Sequence, residues 1–287
     1  MADQTMREEN RLSWNAATDA HNSHRGDQAA FFRGGGSTLF PEERGLLGDI
    51  AGRSLAHLQC NVGQDALSLA GLGATVTGVD ISDTAIDAAR QLAADCGVPA
   101  SFVCADIYDW LDATARGLER FDVAFCSYGA VCWLADLDRW AHGLAGILNR
   151  GGRFVVVDFH PVAAMFDQRW NHTSPYPSGG RPLTLDGVGD YVGASGGGLT
   201  PGGFVEGVSD FTNPYRCQLY LWGLGELVTA LSGAGLSIIK LEEYPYSNGE
   251  RQFANMRELP ERRMVPPEGV PPIPLMYGLS ARKVDSR

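Results

Sequence analysis

From residue 54 to about 160 the chain alternates short apolar runs with longer stretches whose apolar residues recur at helical spacing, the pattern of repeated strand-helix units around a parallel sheet. RSLAHLQC, TVTGVD, PASFVCAD, FDVAFCSYG and RFVVVDFH read as five strands. Between them, GQDALSLAGLG reads as a helix stopped by Gly73 in the left-handed conformation. ISDTAIDAARQLAADCG reads as a helix capped by Ser82, with Ala85, Ile86, Ala89, Ala93 and Cys96 on one face and Gly97 at its end. A short helix near 107–117 follows, then one from about 135 to 149 with Leu137, Trp140, Ala141, Leu144 and Leu148 on one side. After His160 the periodicity stops for roughly fifty residues, and a stretch so long and so rich in aromatics points to a functional cover, not to disorder. WGLGELVTALSGAG restores a helix, LSIIKLEEY a strand, and a Pro-rich excursion leads to a closing strand in LMYGLSARK. The expected fold class is α/β, a doubly wound, mostly parallel seven-stranded sheet with an antiparallel edge strand.

Composition narrows this further. A chain of 287 residues, 44% apolar and 20% charged, can bury a substantial core as one large domain or two small ones. The formal charge of −11 repels phosphate backbones and anionic headgroups, so neither nucleic acid nor a membrane is an expected partner. No window approaches 18 uninterrupted apolar residues, the first residues lack the pattern of an export signal, and a cytoplasmic location is expected. The six cysteines show no pairing rhythm and read as reduced packing residues. His21 and His24 form the only closely spaced histidine pair, with no acid or cysteine at ligand spacing, so no metal is expected.

An open parallel sheet binds its ligand beyond the carboxyl ends of its strands. Those ends carry Gln59, Cys60, Asn61 and Gly63, then Asp80 and Ile81, then Asp106 and Ile107, then Ser127 and Tyr128. Asp80 stands 20 residues beyond Cys60, where a carboxylate matches the cis diol of a ribose, and a nucleoside is the expected ligand. The first turn, CNVGQD, has one glycine where a dinucleotide fingerprint needs three, and GLGATVTG begins at the end of a helix that it would terminate.

These residues resemble the class I S-adenosylmethionine-dependent methyltransferases. LAHLQCNVGQDALSLA overlays the first motif of that family, an acid followed by a glycine-rich turn, with Cys60 and Gly63 matching. Asp80 in VTGVDIS matches the second-strand acid, Asp106 in VCADIYD the adenine-contacting acid, FDVAFCSYGAVCWL the fourth-strand motif, and LNRGGRFVVVDFHP the penultimate helix and fifth strand. The likeness runs from about 40 to 160 and resumes weakly at 220–283. His57 stands where the family has an acid, and Gln59 and Asn61 replace two glycines; with SWNAATDAHNSH at the front, this variant looks like enzymes that decorate bacterial natural products.

The resemblance implies a Rossmann-like core over 41–160, completed by 221–287, with a lid segment over 1–40 and a substrate cover over 161–220. It implies S-adenosylmethionine as donor, S-adenosylhomocysteine as product, and a small-molecule acceptor, a secondary metabolite methylated on nitrogen or oxygen by in-line transfer promoted by proximity. Trp14, His24, Trp133, Tyr176 and Tyr220 are candidates to touch the acceptor, and His160 or Tyr128 to serve as base for a hydroxyl. Each has a plainer reading: Asp80 and Asp106 as helix caps, Tyr128 and Trp133 as packing, His160 as a satisfied structural histidine. A homodimer is allowed. A nicotinamide-dependent oxidoreductase and a non-catalytic nucleoside-binding protein stay open as alternatives.

Overall fold

The protein is described by a computed structural model over residues 2–284. Three helices open it, α1 (Ala2–Ser23), α2 (Gln28–Arg33) and α3 (Pro41–Leu47). The alternating region runs β1 (Ser54–Leu58), α4 (Gln64–Gly71), β2 (Thr75–Asp80), α5 (Asp83–Cys96), β3 (Ser101–Cys104), α6 (Ile107–Arg116), β4 (Phe121–Ser127), α7 (Leu137–Ile147) and β5 (Leu148–Phe159). Then come β6 (Arg181–Leu185), α8 (Tyr191–Ser195), β7 (Cys217–Leu221), α9 (Leu224–Gly233) and β8 (Leu236–Tyr244). Three short strands, β9 (Ser247–Asn248), β10 (Arg257–Leu259) and β11 (Arg263–Val265), precede β12 (Met276–Lys283).

Seven strands make one sheet in the order β3-β2-β1-β4-β5-β12-β8. β1 pairs in parallel with β2 and β4, and β12 runs antiparallel to both β5 and β8. The antiparallel strand thus lies one place inside the edge. The crossover through α9 brings β8 back parallel to β5, and β12 fills the gap between them from the opposite direction.

Helices form where the periodicity predicts them, and their ends show why. Ser82 accepts from the Ala85 amide, Gly97 stops α5 at φ 70°, and Ala85, Ile86, Ala89, Ala93 and Cys96 are all buried. Asp106 and Asp136 cap α6 and α7 in the same way. Apolar side chains fill both faces of the sheet, in one cluster beneath α6, α7 and α9 and another beneath α3, α4 and α5. Trp140 and Phe154 meet edge to face at 5.4 Å in the first, and an aromatic of that size contributes about 1.5–3 kcal/mol on full burial.

The strand order reverses between β1 and β4, which opens a crevice beyond their carboxyl ends. Over it lie α1, the antiparallel β6-β7 ribbon and α8. Polar side chains stitch this cover together. Asn10 on α1 pairs with the backbone of Gln218 on β7 through both amide atoms, at 3.0 and 2.6 Å. Ser13 accepts from the Val188 amide at 2.9 Å, and Asn213 donates to the Ser13 and Val188 carbonyls at 2.8 and 3.0 Å. Arg7 reaches Asp106 at 2.9 Å, while Arg11 and Asn15 both bond Asp83, so α1 is tied to the starts of α5 and α6.

Candidate active site

The crevice holds a cavity of about 510 Å³, within the range of small-molecule sites. Its floor is the set of strand ends: Gln59, Cys60, Asn61, Asp80, Ile81, Asp106, Ile107, Ser127 and Tyr128 all line it. Gly63 does not, and its function is to let the turn close. At φ 73° it starts α4, and a Cβ there would stand 2.6 Å from Phe102 and 2.9 Å from Ala89.

Gln59 and Asn61, where the resembling family has glycine, also adopt positive φ, 54° and 49°. Asn61 tolerates this because its own Oδ1 accepts from the Val62 amide at 2.7 Å, the local bond that makes asparagine the best glycine substitute in such a turn. Gln59 is held by its Nε2, which donates to the Ala130 carbonyl at 2.8 Å and ties the β1 turn to the β4 turn. The loop therefore keeps a glycine-like path with two polar side chains in it.

Asp80 is presented by that loop. One oxygen accepts from the Asn61 amide at 2.8 Å, the other from the Ser82 amide at 2.9 Å, and the carboxylate still borders the cavity. Burial pushes its pKa up, and these amide bonds pull it back. Asp106 takes the amides of Tyr108 and Asp109 at 2.9 and 3.3 Å as well as Arg7, so it caps a helix and faces the cavity at once.

His57 occupies the position of the missing acid. It is buried, burial lowers its pKa to about 4, and its Nδ1 has no partner. Asp65 at the start of α4 brings a carboxylate to the same cavity, accepting from Thr38 at 2.6 Å and Ser127 at 3.0 Å. Arg25 brings a buried guanidinium to the same wall, with Nε unpartnered. Gln59 Oε1 is likewise buried and unpartnered. With Asn248 Oδ1, buried polar atoms on four residues around one cavity lack a partner, and a polar ligand would satisfy them.

The structure separates the remaining sequence candidates. Trp14, Trp133 and Tyr220 line the cavity; His24 and Tyr176 do not. His24 bonds Asp190 at 2.7 Å and accepts from the Gly207 amide, and the Tyr176 hydroxyl accepts from the Leu224 amide at 3.0 Å. His160 lies outside as well, with Nε2 on Glu243 at 2.8 Å and Nδ1 accepting from the Val162 amide at 3.1 Å. Tyr128 borders the cavity, but its hydroxyl accepts from Asn248 at 3.0 Å and burial pushes its pKa well up. Neither arrangement leaves a free base.

Sequence reasoning did not reach Arg25, Asp65, Asn248 or Glu250, all cavity-lining. Asp65 had a signal, its place in the first turn after the binding loop. Glu250 had none, because it follows a two-residue strand in an aperiodic segment. Among the described residues no cluster of three or more His, Cys, Asp or Glu could hold a metal ion, and no helix is long and apolar enough to cross a membrane.

Comparison with known proteins bears on the fold that carries this site. Residues 56–152 match the family model of a methyltransferase domain. No curated protein matches the chain. Among solved structures, the CcbJ methyltransferase from Streptomyces caelestis is similar with a TM-score of 0.55 at 18% identity, covering 96% of this chain and 99% of that one. An S-adenosylmethionine-dependent methyltransferase from Mesorhizobium loti gives a TM-score of 0.52 at 20% identity, covering 86% and 98%. At these identities the likeness is one of fold.

Proposed function

We propose, taking as premise the S-adenosylmethionine-dependent methyltransferase domain that this chain carries, that the protein methylates a nitrogen or oxygen of a small molecule, a secondary metabolite, inside the covered cavity. The observation that carries the reading is Asp80, held by two loop amides with its carboxylate still bordering the cavity. A cavity of about 510 Å³ roofed by aromatic side chains, in a chain of charge −11, supports a small acceptor over a nucleic acid. The front segment's likeness to enzymes of natural-product decoration supports a secondary metabolite.

When bound, the donor supplies a methyl group on a positively charged sulfur. Asp80 would accept the ribose hydroxyls with the lone pairs that Asn61 and Ser82 leave open. Asp106 and Ile107 would meet the adenine, with Ile81 against the nucleoside. Asp65 and Arg25 offer one carboxylate and one guanidinium to the ammonium and carboxylate of the methionine portion, which compensates for the acid lost at His57. Trp14, Trp133 and Tyr220 would wall the acceptor, and α1 with the β6-β7 ribbon would exclude water. Alignment of this kind can supply on the order of 7–11 kcal/mol.

Thermal unfolding with S-adenosylhomocysteine tests the reading. At a hundred times its dissociation constant the product should stabilise the protein by about 2.7 kcal/mol, and NAD should not. The absence of a shift at millimolar product overturns the assignment.

A further inference from the structure

Glu250 is a carboxyl with nothing to do in the protein alone. It borders the cavity, and among the described residues no hydrogen bond or ion pair reaches its side-chain oxygens. Its backbone, by contrast, is fixed. The Glu250 amide donates to the Asn248 carbonyl at 2.8 Å, Ser247 Oγ donates to the Glu250 carbonyl at 2.6 Å, and the next amide, Arg251, donates to Ser195 Oγ at 3.1 Å. Gly249, at φ 71°, packs so closely on the 198–199 backbone that a Cβ would stand 2.5 Å from the Gly198 carbonyl oxygen. A fixed turn thus holds a half-buried, unpaired acid at the wall of the cavity.

The groups around it say what it meets. Asp158 at the end of β5 is fully occupied by the amides of Gly129, Val131 and Phe159 and gives it no partner, only like charge. Cys132 after β4 and Tyr191 on α8 lie within its field, Tyr191 also within those of Arg25 and Asp190. Arg251 turns away to the Met256 carbonyl and Glu258. The same cavity carries Trp14, Trp133 and Tyr191, packed edge to face with Trp14 at 5.4 and 6.4 Å from the other two. A carboxylate and aromatic rings lining one cavity are the recognition chemistry of an ammonium ion.

We infer that the acceptor is an amine and that the Glu250 carboxylate takes the proton its nitrogen must lose before methylation. This rests on the methyltransferase reading and narrows its nitrogen-or-oxygen choice. The acceptor enters as an ammonium ion paired with Glu250, and one N–H proton passes to a Glu250 oxygen. The freed nitrogen pair forms the new bond to the methyl carbon while the carbon–sulfur bond breaks, its electron pair staying on sulfur and neutralising it. The positive charge ends on the methylated nitrogen, and Glu250 returns its proton to water when product leaves. Burial and Asp158 push the Glu250 carboxyl up to about 7, which suits it to exchange a proton with an ammonium ion and not to ionise an alcohol.

Calorimetry with benzylamine and benzyl alcohol, each added to protein saturated with S-adenosylhomocysteine, tests this without turnover. Benzylamine should bind at least tenfold tighter than the alcohol at pH 8, and that preference should fall away as the pH drops through about 7. Glu250→Gln should abolish the preference and its pH dependence while changing S-adenosylhomocysteine affinity less than about threefold. No preference in the wild type, or a preference that survives in Glu250→Gln, overturns the inference. A Glu250-dependent preference in protein that does not bind S-adenosylhomocysteine would sustain the amine site and remove the donor reading instead.

Discussion

The two ends of the cavity are built on opposite plans. At the β2 and β3 end, each acid is tied down: Asp80 by two amides, Asp106 by two amides and Arg7. Elsewhere on the wall, Glu250 is left without a partner among the described residues, in a cavity that Trp14, Trp133 and Tyr191 also line. A preorganised end suits a ligand that is always the same, and it loses little by having its carboxylates fixed in advance. A carboxyl left unpaired at the wall suits a ligand that brings the opposite charge. The difference teaches where to look for acceptor chemistry: in what the fold leaves unsatisfied.

That contrast can be broken from either side. The largest effect is expected in the loop that sets the preorganised end. Gly63→Val places a branched side chain at φ 73° against Phe102 and Ala89, and should cost about 3 kcal/mol or more in denaturant unfolding, with loss of product binding. A cost under 1 kcal/mol would show that the turn tolerates another path.

Acid comes next. His57 and His21 are buried with pKa values lowered to about 4 by desolvation. A base whose folded pKa is depressed binds more protons when unfolded, so its contribution is complete above about 6.5 and is lost as the pH falls toward 4. Stability should drop by a few kcal/mol over that window, and His57→Phe should flatten the slope. A slope unchanged in His57→Phe would mean that the His57 ring does not resist protonation.

Glu250→Gln should have the opposite sense at the other end. Its folded pKa of about 7 lies above the ordinary 4.5, so the native state holds the proton more tightly and stability is lost as the pH rises between those values. The variant should therefore be more stable than wild type at pH 8, by on the order of 1–3 kcal/mol, and nearly equal at pH 4.5. Equal stability at both pH values would place Glu250 in water. The smallest effect belongs to Arg7→Ala, which removes a partly exposed ion pair and should weaken product binding by about two- to fivefold, less at high salt.

The same contrast explains what could be read in advance. The core was legible because a helix face and a buried strand leave periodic marks: Ala85 to Cys96 on α5, and the apolar runs of β1 and β4. The strand ends followed from that periodicity, and with them Asp80 and Asp106. Glu250 and Asn248 were invisible because their segment has no period, and what brings them to the crevice is long-range packing against the 195–199 turn. His160 shows the converse: its place at the end of β5 suggested the crevice, while Glu243 on β8 draws its ring the other way.

The central claim is that Asp80 grips the donor's ribose. Calorimetric titration of S-adenosylhomocysteine into the wild type and Asp80→Ala, with unfolding curves confirming that both are folded, tests it directly. Loss of two hydrogen bonds to a charged group, each about 1.5–3 kcal/mol, predicts at least a hundredfold weaker binding in the variant. Equal affinity in the two proteins would contradict the account.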